Sequence, residues 1–516
     1  MPSIINQIKK HFASDPFYFW SIIVLMTVNP VASQFYMCEW VGFAITLALI
    51  YCSATLFTTV FSSIGRVGVV LKYLSVTVIA LYDAFALFCL IVFDTTVDAT
   101  IIETLLETNV AEMKEFVSVF MPWWLLAGFV ALLVALFYGY YYCKSIRHLA
   151  MGSRQIAIHQ HLLLYVVIVL LVSNRLVVKE IRTMSTWTIP FENIAINLKD
   201  HEPQHLHLKE CNKLHPEKIV VVIGESHAKA HSSIYGYDKT TNPRLQQLIN
   251  DSLLYAFRNV ESPATGTVQA FKYIMTTRRL CDVQTEWYKF PSIITIMKSA
   301  GYRTSWYSNQ NEVGLHDNLA SSFAHICEEY HFNSKSTRLD GDLIGLHKPT
   351  NGKEFVVYHL MGQHVDFAKR YPESFQHFKA TDYDKKKFNK REVAAHYDNA
   401  CLYNDYVVSQ IMNMYKNEDA IVVYFPDHGL DVFQSSPTYF GHARKNKRAN
   451  RKIGHEIPCF VYTSSTFKAR HKDLTQQIKQ SVDRKYNTAE MPFTLMHVAG
   501  YDFAAYPADS TYTLFR

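Results

Sequence analysis

The pattern of apolar and polar positions changes near residue 180. Before it, apolar residues come in long runs, at 17–36, 40–63, 73–93, 117–142 and 162–178. Each is close to the ~20 residues that cross a hydrocarbon core ~30 Å thick. One such run alone has the look of a buried helix in a soluble protein. Five in series predict a five-helix transmembrane domain over residues 1–178. From residue 217 the apolar runs shorten and alternate with helical periodicity, the pattern of an α/β sheet. Strands are predicted at 219–223, 355–361, 420–425 and 457–462, and helices at 243–256, 268–275, 292–300 and 396–416. Pro243 after Thr240-Thr241-Asn242 marks one helix start. Between the halves, 179–216 carries Trp187, Ile189, Pro190, Phe191 and Ile194, which suit a linker lying at a membrane interface. Its histidine-rich stretch, 201–215, is read as a polar linker rather than a metal site. The remainder, 217–516, is expected to be a soluble α/β domain.

Charge orients this arrangement. Lys9, Lys10, Arg66, Lys72, Lys144, Arg147 and Arg154 fall on one side of the expected spans. The loop 94–115 on the other side holds Asp94, Asp98, Glu103, Glu107, Glu112 and Glu115 against a lone Lys114. Cationic loops stay in the cytoplasm, so everything after residue 178 is expected outside it. The first run follows a 16-residue polar start and has no small-residue cleavage site, unlike a cleavable signal peptide. A net charge of +6 on 516 residues argues against a dedicated nucleic-acid binder. Asp83 falls within the third run, where a carboxylate is costly unless a neighbouring helix satisfies it. Cys211, Cys281, Cys327, Cys401 and Cys459 lie where disulfides can form. Being odd in number, they leave at least one thiol unpaired, and their connectivity is not legible in sequence.

The chemistry gathers at strand ends. The run 219–223 is five β-branched residues followed by Gly224-Glu225-Ser226, which places Glu225 at the carboxyl end of a buried strand, where open α/β sheets bind ligands. An acid there is either a metal ligand or a helix cap. Gly362-Gln363-His364 follows the second strand and Pro426-Asp427-His428-Gly429 the third; His442 and His455 precede the fourth. Two carboxylates and an imidazole from Glu225, Asp427 and His428 make a donor set suited to zinc or manganese. A metal-assisted phosphoryl transfer also needs a nucleophile at a helix start, where free N–H groups favour a phosphate. Thr265 and Thr267 in ESPATGTVQAFKYIMTT both qualify, and the pattern does not choose between them.

The segments GESHAKAHSSIYGYDKTTNPRL, ATGTVQAFKYIMT, IITIMKSAGYRTSWYSNQ, VVYHLMGQHVDFAKRYP, VVYFPDHG and FGHA, in this order, resemble bacterial phosphoethanolamine transferases. These are membrane enzymes of the sulfatase and alkaline phosphatase superfamily. The likeness extends to the N-terminal half, including TNVAE in loop 94–115. It implies a zinc ion held by Glu225, Thr267, Asp427 and His428, with Thr267 as the nucleophile. His364 and His442 match positions that hold the phosphoryl group or a second metal. Asn109 and Glu112 match residues that meet the ethanolamine lipid. The implied reaction moves phosphoethanolamine from phosphatidylethanolamine through a phosphothreonine to a lipopolysaccharide hydroxyl, on lipid A or a core sugar. The implied location is the bacterial inner membrane, with the catalytic domain in the periplasm. Two departures stand out: Pro263 replaces a cysteine that some members pair in a disulfide, and Leu430 replaces a frequent acid. The competing expectations are a phosphoglycerol transferase, a sulfatase-like hydrolase, and a non-catalytic membrane receptor on the same fold. SPATGTVQA lacks the Cys or Ser modification motif that sulfatases need, and intact ligand positions count against the receptor.

Overall fold

The computed structural model describes residues 15–37, 40–93, 123–146 and most of 206–515. The chain divides into two compact units.

In the N-terminal unit, helices α1 (Pro16–Met37), α2 (Trp40–Ser63), α3 (Gly65–Phe93) and α4 (Trp123–Ile146) occupy the first four apolar runs. Tyr18, Phe19, Ile22, Leu25, Ala54, Val76 and Ala80 form their common core. Trp20, Val24, Val67, Val70, Trp123, Trp124 and Tyr138 face outward. By length and hydropathy, one helix among the described residues, Gly65–Ile91, is long and apolar enough to cross a membrane; Phe17–Val28 and Leu126–Ala135 are shorter apolar stretches. The expected fifth run, 162–178, lies outside the described residues, as do Asn109 and Glu112. The count of five spans is therefore not established.

Two polar groups of this unit are buried. Lys72, one of the cations counted above for orientation, sits inside α3. Its Nζ lies 2.8 Å from Asp15 Oδ2 and 2.8 Å from Ser62 Oγ. Asp15 also caps α1 by accepting from Tyr18 N at 3.2 Å. Asp83 is buried, and its Oδ2 finds no hydrogen-bond partner among the described residues. The helix satisfaction expected for it is not seen there.

The C-terminal unit is built on a seven-stranded sheet. In chain order its strands are β1 (Lys218–Gly224), β2 (Leu254–Phe257), β3 (Arg303–Ser308), β4 (Glu329–Phe332), β5 (Glu354–His359), β6 (Ala420–Pro426) and, after a short hairpin, β9 (Cys459–Thr463). That hairpin consists of β7 (Asp431–Val432) paired with β8 (Phe440–Gly441). The sheet order is β2-β9-β6-β1-β5-β3-β4, with β9 antiparallel to both neighbours. β1 lies in the middle, parallel to β5 and β6. Its alternate residues feed opposite cores. Ile219, Val221 and Ile223 join one face, and Val220 and Val222 the other. This double burial is why the strand reads as an uninterrupted β-branched run.

The helix expected at 243–256 stops at Asn250. Ser252 turns into the left-handed region at φ +57°, and the next residues form β2, paired with β9. The residues 254–257, LYAF, suit either element. The antiparallel partner decides, because it satisfies their backbone groups at the sheet edge. The helix with the nucleophile candidates is α5 (Thr267–Ile274); the long helix packed behind the site is α6 (Arg391–Met414). Cys211, Cys281, Cys327, Cys401 and Cys459 are all free thiols.

Candidate active site

Parallel register brings the first two site residues together. Gly224 of β1 pairs with Pro426 of β6, so the residues that follow, Glu225 and Asp427, emerge side by side at the sheet's carboxyl edge. Both are buried, as is His428. One ligand atom from each of the three falls within 4.8 Å of the others. His428 Nδ1 lies 2.8 Å from the Gly429 carbonyl, a contact that requires the proton on that nitrogen. Nε2 then points its lone pair at Glu225 Oε1 and Asp427 Oδ2, each 3.4 Å away. Asp427 Oδ2 is buried and accepts no hydrogen bond among the described residues. A lone pair facing two carboxylates, one of them unsatisfied, is unfavourable unless a cation or proton sits among them. The donor set, two hard oxygens and one imidazole, fits a divalent ion such as zinc.

The electrostatics agree. Burial first, and then the charge of Asp427, push the Glu225 carboxyl up to about 8; burial also raises Asp427 to about 6. Both groups are held toward neutrality until a positive charge joins them.

Thr267 opens α5, and its hydroxyl donates to Glu225 Oε2 at 3.2 Å with His428 Nε2 3.4 Å away. Thr265 contributes only its carbonyl, which His442 Nδ1 meets at 2.9 Å. The geometry therefore puts Thr267, not Thr265, beside the carboxylates. The His442 ring lies 4.9 Å from that of His428. His364 is half-buried on the loop after β5; burial, then the Arg370 cation, then His442 and His428, lower its imidazole to about 3. Its Nδ1 is buried without a partner among the described residues. His455 stands apart, binding the Ser262 carbonyl at 2.7 Å.

Several positioning residues left no signal in the sequence. Gln310, at the end of β3, reaches Glu225 Oε2 at 3.5 Å and the Leu360 carbonyl at 3.3 Å. The Tyr397 hydroxyl donates to the Ser226 carbonyl and accepts from Ala228 N, each at 2.7 Å. It thereby holds Ser226, strained at φ +54°, just beyond Glu225. Asp340 accepts from Met361 N at 2.7 Å and Gly362 N at 2.8 Å, which pins the loop packed on Glu225. The Ser262 hydroxyl ties the segment before α5 to the Asp427 carbonyl at 2.5 Å. Their partners are tertiary, so nothing local marks them.

Residues 217–501 match the family model described as Sulfatase. The chain belongs to the sulfatase family. Within this sulfatase-family chain, residues 54–199 also match the model described as Phosphoethanolamine transferase EptA/EptB. The resemblance drawn from the motifs is borne out. Phosphoethanolamine transferase EptC of Escherichia coli K12 is 30% identical over 330 residues, which cover 60% of this chain and 56% of that protein. The chain thus spans little more than half the length of that curated relative. The crystal structure of the C-terminal periplasmic domain of EptC from Escherichia coli, in complex with Zn, is similar at a TM-score of 0.54 and 28% identity. The match covers 60% of this chain and 89% of that one. The integral membrane lipooligosaccharide phosphoethanolamine transferase A of Neisseria meningitidis shares the fold at a TM-score of 0.61 and 15% identity, over 97% of each chain.

Proposed function

We propose that this protein is a zinc-dependent phosphoethanolamine transferase of the bacterial inner membrane, with residues 1–178 in the membrane, 179–216 as an interfacial linker and 217–516 facing the periplasm. The observation that carries the proposal is the Thr267 hydroxyl at a helix start, 3.2 Å from Glu225 and 3.4 Å from His428. The donor is phosphatidylethanolamine and the acceptor a hydroxyl of lipopolysaccharide, on lipid A or the core sugars. Glu225, Asp427 and His428, with the Thr267 oxygen, would hold the zinc, which when bound supplies a Lewis acid that stabilises negative charge on oxygen.

The chain's own residues do the rest. Glu225 orients the Thr267 hydroxyl, and the first amides of α5 face the incoming phosphoryl oxygens. The Thr267 oxygen forms a bond to phosphorus as the bond from phosphorus to the glycerol oxygen breaks. The glycerol oxygen takes a proton and leaves as diacylglycerol. The acceptor hydroxyl then attacks the phosphothreonine, loses its proton, and Thr267 recovers one. His364 and His442 bind the phosphoryl group or carry these protons; burial lowers their imidazoles to about 3 and about 4, so both approach the reaction neutral. Asn109 and Glu112 meet the ethanolamine of the lipid.

The test is an adduct. Incubated with phosphatidylethanolamine and no acceptor, the protein should gain the mass of one phosphoethanolamine on the peptide containing Thr267. Thr267→Ala should abolish adduct and transfer, Thr267→Ser keep part of each, and Thr265→Ala leave the adduct in place. An adduct mapped to Thr265 or Ser262, or full transfer by Thr267→Ala, overturns the assignment.

A further inference from the structure

A recess of about 370 Å³ opens beside the β7–β8 hairpin, a volume within the range of small-molecule sites. Its walls include Lys386, Lys387, Phe388, Gln434, Ser435 and Tyr237. None of the residues assigned to the Thr267 centre lines it.

The floor of the recess is fixed by a buried hydrogen-bond network. His231 Nδ1 lies 2.6 Å from Asp398 Oδ1, and its Nε2 is 3.2 Å from the Val432 carbonyl. Asp398 on α6 also accepts from Tyr237 at 2.7 Å and Tyr383 at 2.5 Å. Three donors on one buried carboxylate engage most of its lone pairs and hold it in place. At the rim the situation is reversed. Lys386 and Lys387 are exposed, and their ammonium groups meet no carboxylate at salt-bridge distance among the described residues. Exposed cations beside a side-chain amide and aromatic rings are the complement of an anionic sugar.

The backbone of the wall is itself held in a costly shape. Phe433 adopts φ +68°, a conformation that bulky residues avoid and that concentrates at ligand clamps. The rings of Phe388 at 5.8 Å and Phe440 at 5.7 Å pack against it and keep it there. The same hairpin joins the recess to the Thr267 centre at both ends. Val432 follows His428 by four residues, at most ~14 Å of extended chain. The return strand ends at Gly441, next to His442, whose ring lies 4.9 Å from that of His428.

We infer that this recess binds a phosphate-bearing saccharide and seats the acceptor whose hydroxyl receives phosphoethanolamine, an assignment that rests on the transferase function proposed above. Lys386 and Lys387 contact the phosphate, Gln434 a sugar hydroxyl through its Nε2, because its Oε1 accepts from Val432 N and the Ser435 hydroxyl donates to Asp431, and Phe388 the sugar face.

The experiment uses the full chain in detergent, as wild type, as Lys386→Gln/Lys387→Gln and as Lys386→Arg/Lys387→Arg. Binding is read by calorimetry with glucose 6-phosphate, and with glucose as the uncharged control. The Gln pair should weaken glucose 6-phosphate at least five-fold, the Arg pair less than two-fold, and glucose should bind more weakly than its phosphate to wild type. Turnover is read with a fluorescent phosphatidylethanolamine and lipopolysaccharide core oligosaccharide, intact or phosphatase-treated. The Gln pair should raise the acceptor KM at least five-fold more than the donor KM, and only for the intact acceptor. Unchanged glucose 6-phosphate binding with unchanged acceptor KM overturns the inference. So does a rise confined to the donor KM, which would assign the recess to the phospholipid phosphate. If wild type fails to cleave the donor, the transferase assignment falls, and the seating of an acceptor falls with it. The calorimetric arm still decides the ligand class: loss of binding in the Gln pair keeps it, and retention removes it.

Discussion

Gly362→Ala isolates what the loop after β5 does for the proposed metal ligands. Gly362 has φ +49°, and a Cβ there would come within 2.7 Å of Glu225 N and 2.8 Å of Glu225 O. Ordinary contact begins at 3.4 Å, so the loop or Glu225 must give by about 0.7 Å. The loop has little freedom, because Asp340 holds Gly362 N and Gln363 N donates to the Glu225 carbonyl at 2.9 Å. The displacement therefore falls on Glu225. Disturbing the groups that orient a metal ligand costs ~10–100-fold in affinity, and the left-handed conformation costs an L-residue ~1–2 kcal/mol. Gly301→Ala is the control: φ is +80° and nothing lies within 4 Å of the added carbon, so it bears the strain without the collision. Both variants should lower the unfolding midpoint in urea by similar amounts. Gly362→Ala alone should lose zinc affinity, by competition with a chelating dye, and lose transfer in proportion. Wild-type affinity and rate in Gly362→Ala would refute the reasoning.

Three further outcomes follow from the described contacts. Glu225 and Asp427 are raised above their unfolded values, to about 8 and about 6, so ionising them costs the metal-free fold stability, a cost absent below about pH 4 and growing as pH rises through both values. Zinc needs both as carboxylates, so its affinity should climb between pH 6 and 8 with proton release in calorimetry; a pH-independent affinity would contradict this. Asp15→Ala strands the buried Lys72 ammonium and should cost ~3–5 kcal/mol, most of it recovered in Asp15→Ala/Lys72→Met; equal melting of single and double variants in detergent would dismiss the pair as incidental. A reporter active only in the periplasm, joined after Arg516, should be active, and activity of a cytoplasmic reporter there instead would reverse the proposed topology.

What the sequence disclosed depended on whether the signal was local. Glu225 and Asp427-His428 were legible because a doubly buried strand must be apolar to its end, and the first polar residues after it stand at the sheet's lip. Thr265 and Thr267 were indistinguishable, since either can open a helix; only the close approach of α5 to β1 separates them. The edge strand β2 was read as the tail of a helix because its pairing partner, β9, lies about 200 residues away. Gln310, Asp340 and Tyr397 carried no sign of their part, because each acts through a tertiary contact with a backbone or carboxylate far along the chain. The recess beside Lys386 was not legible, because its walls at 230–237, 386–388 and 432–437 meet only in the fold.

The pairing of Gly224 with Pro426 has a consequence for assembly. Ser226 and Asp427 are 201 positions apart in the chain yet share a hydrogen bond at 3.2 Å. During synthesis, Glu225 emerges long before Asp427 and His428 exist to join it. No partial chain can hold an ion with all three, and the cage closes only when β6 docks against β1 in the centre of the sheet. A metal that arrives early finds one carboxylate, whereas a metal that arrives late finds a rigid, dehydrated triad. The order of events is then fold first and load second, so an ion held by all three residues would reflect the conditions in which the sheet closes rather than those in which Glu225 is made.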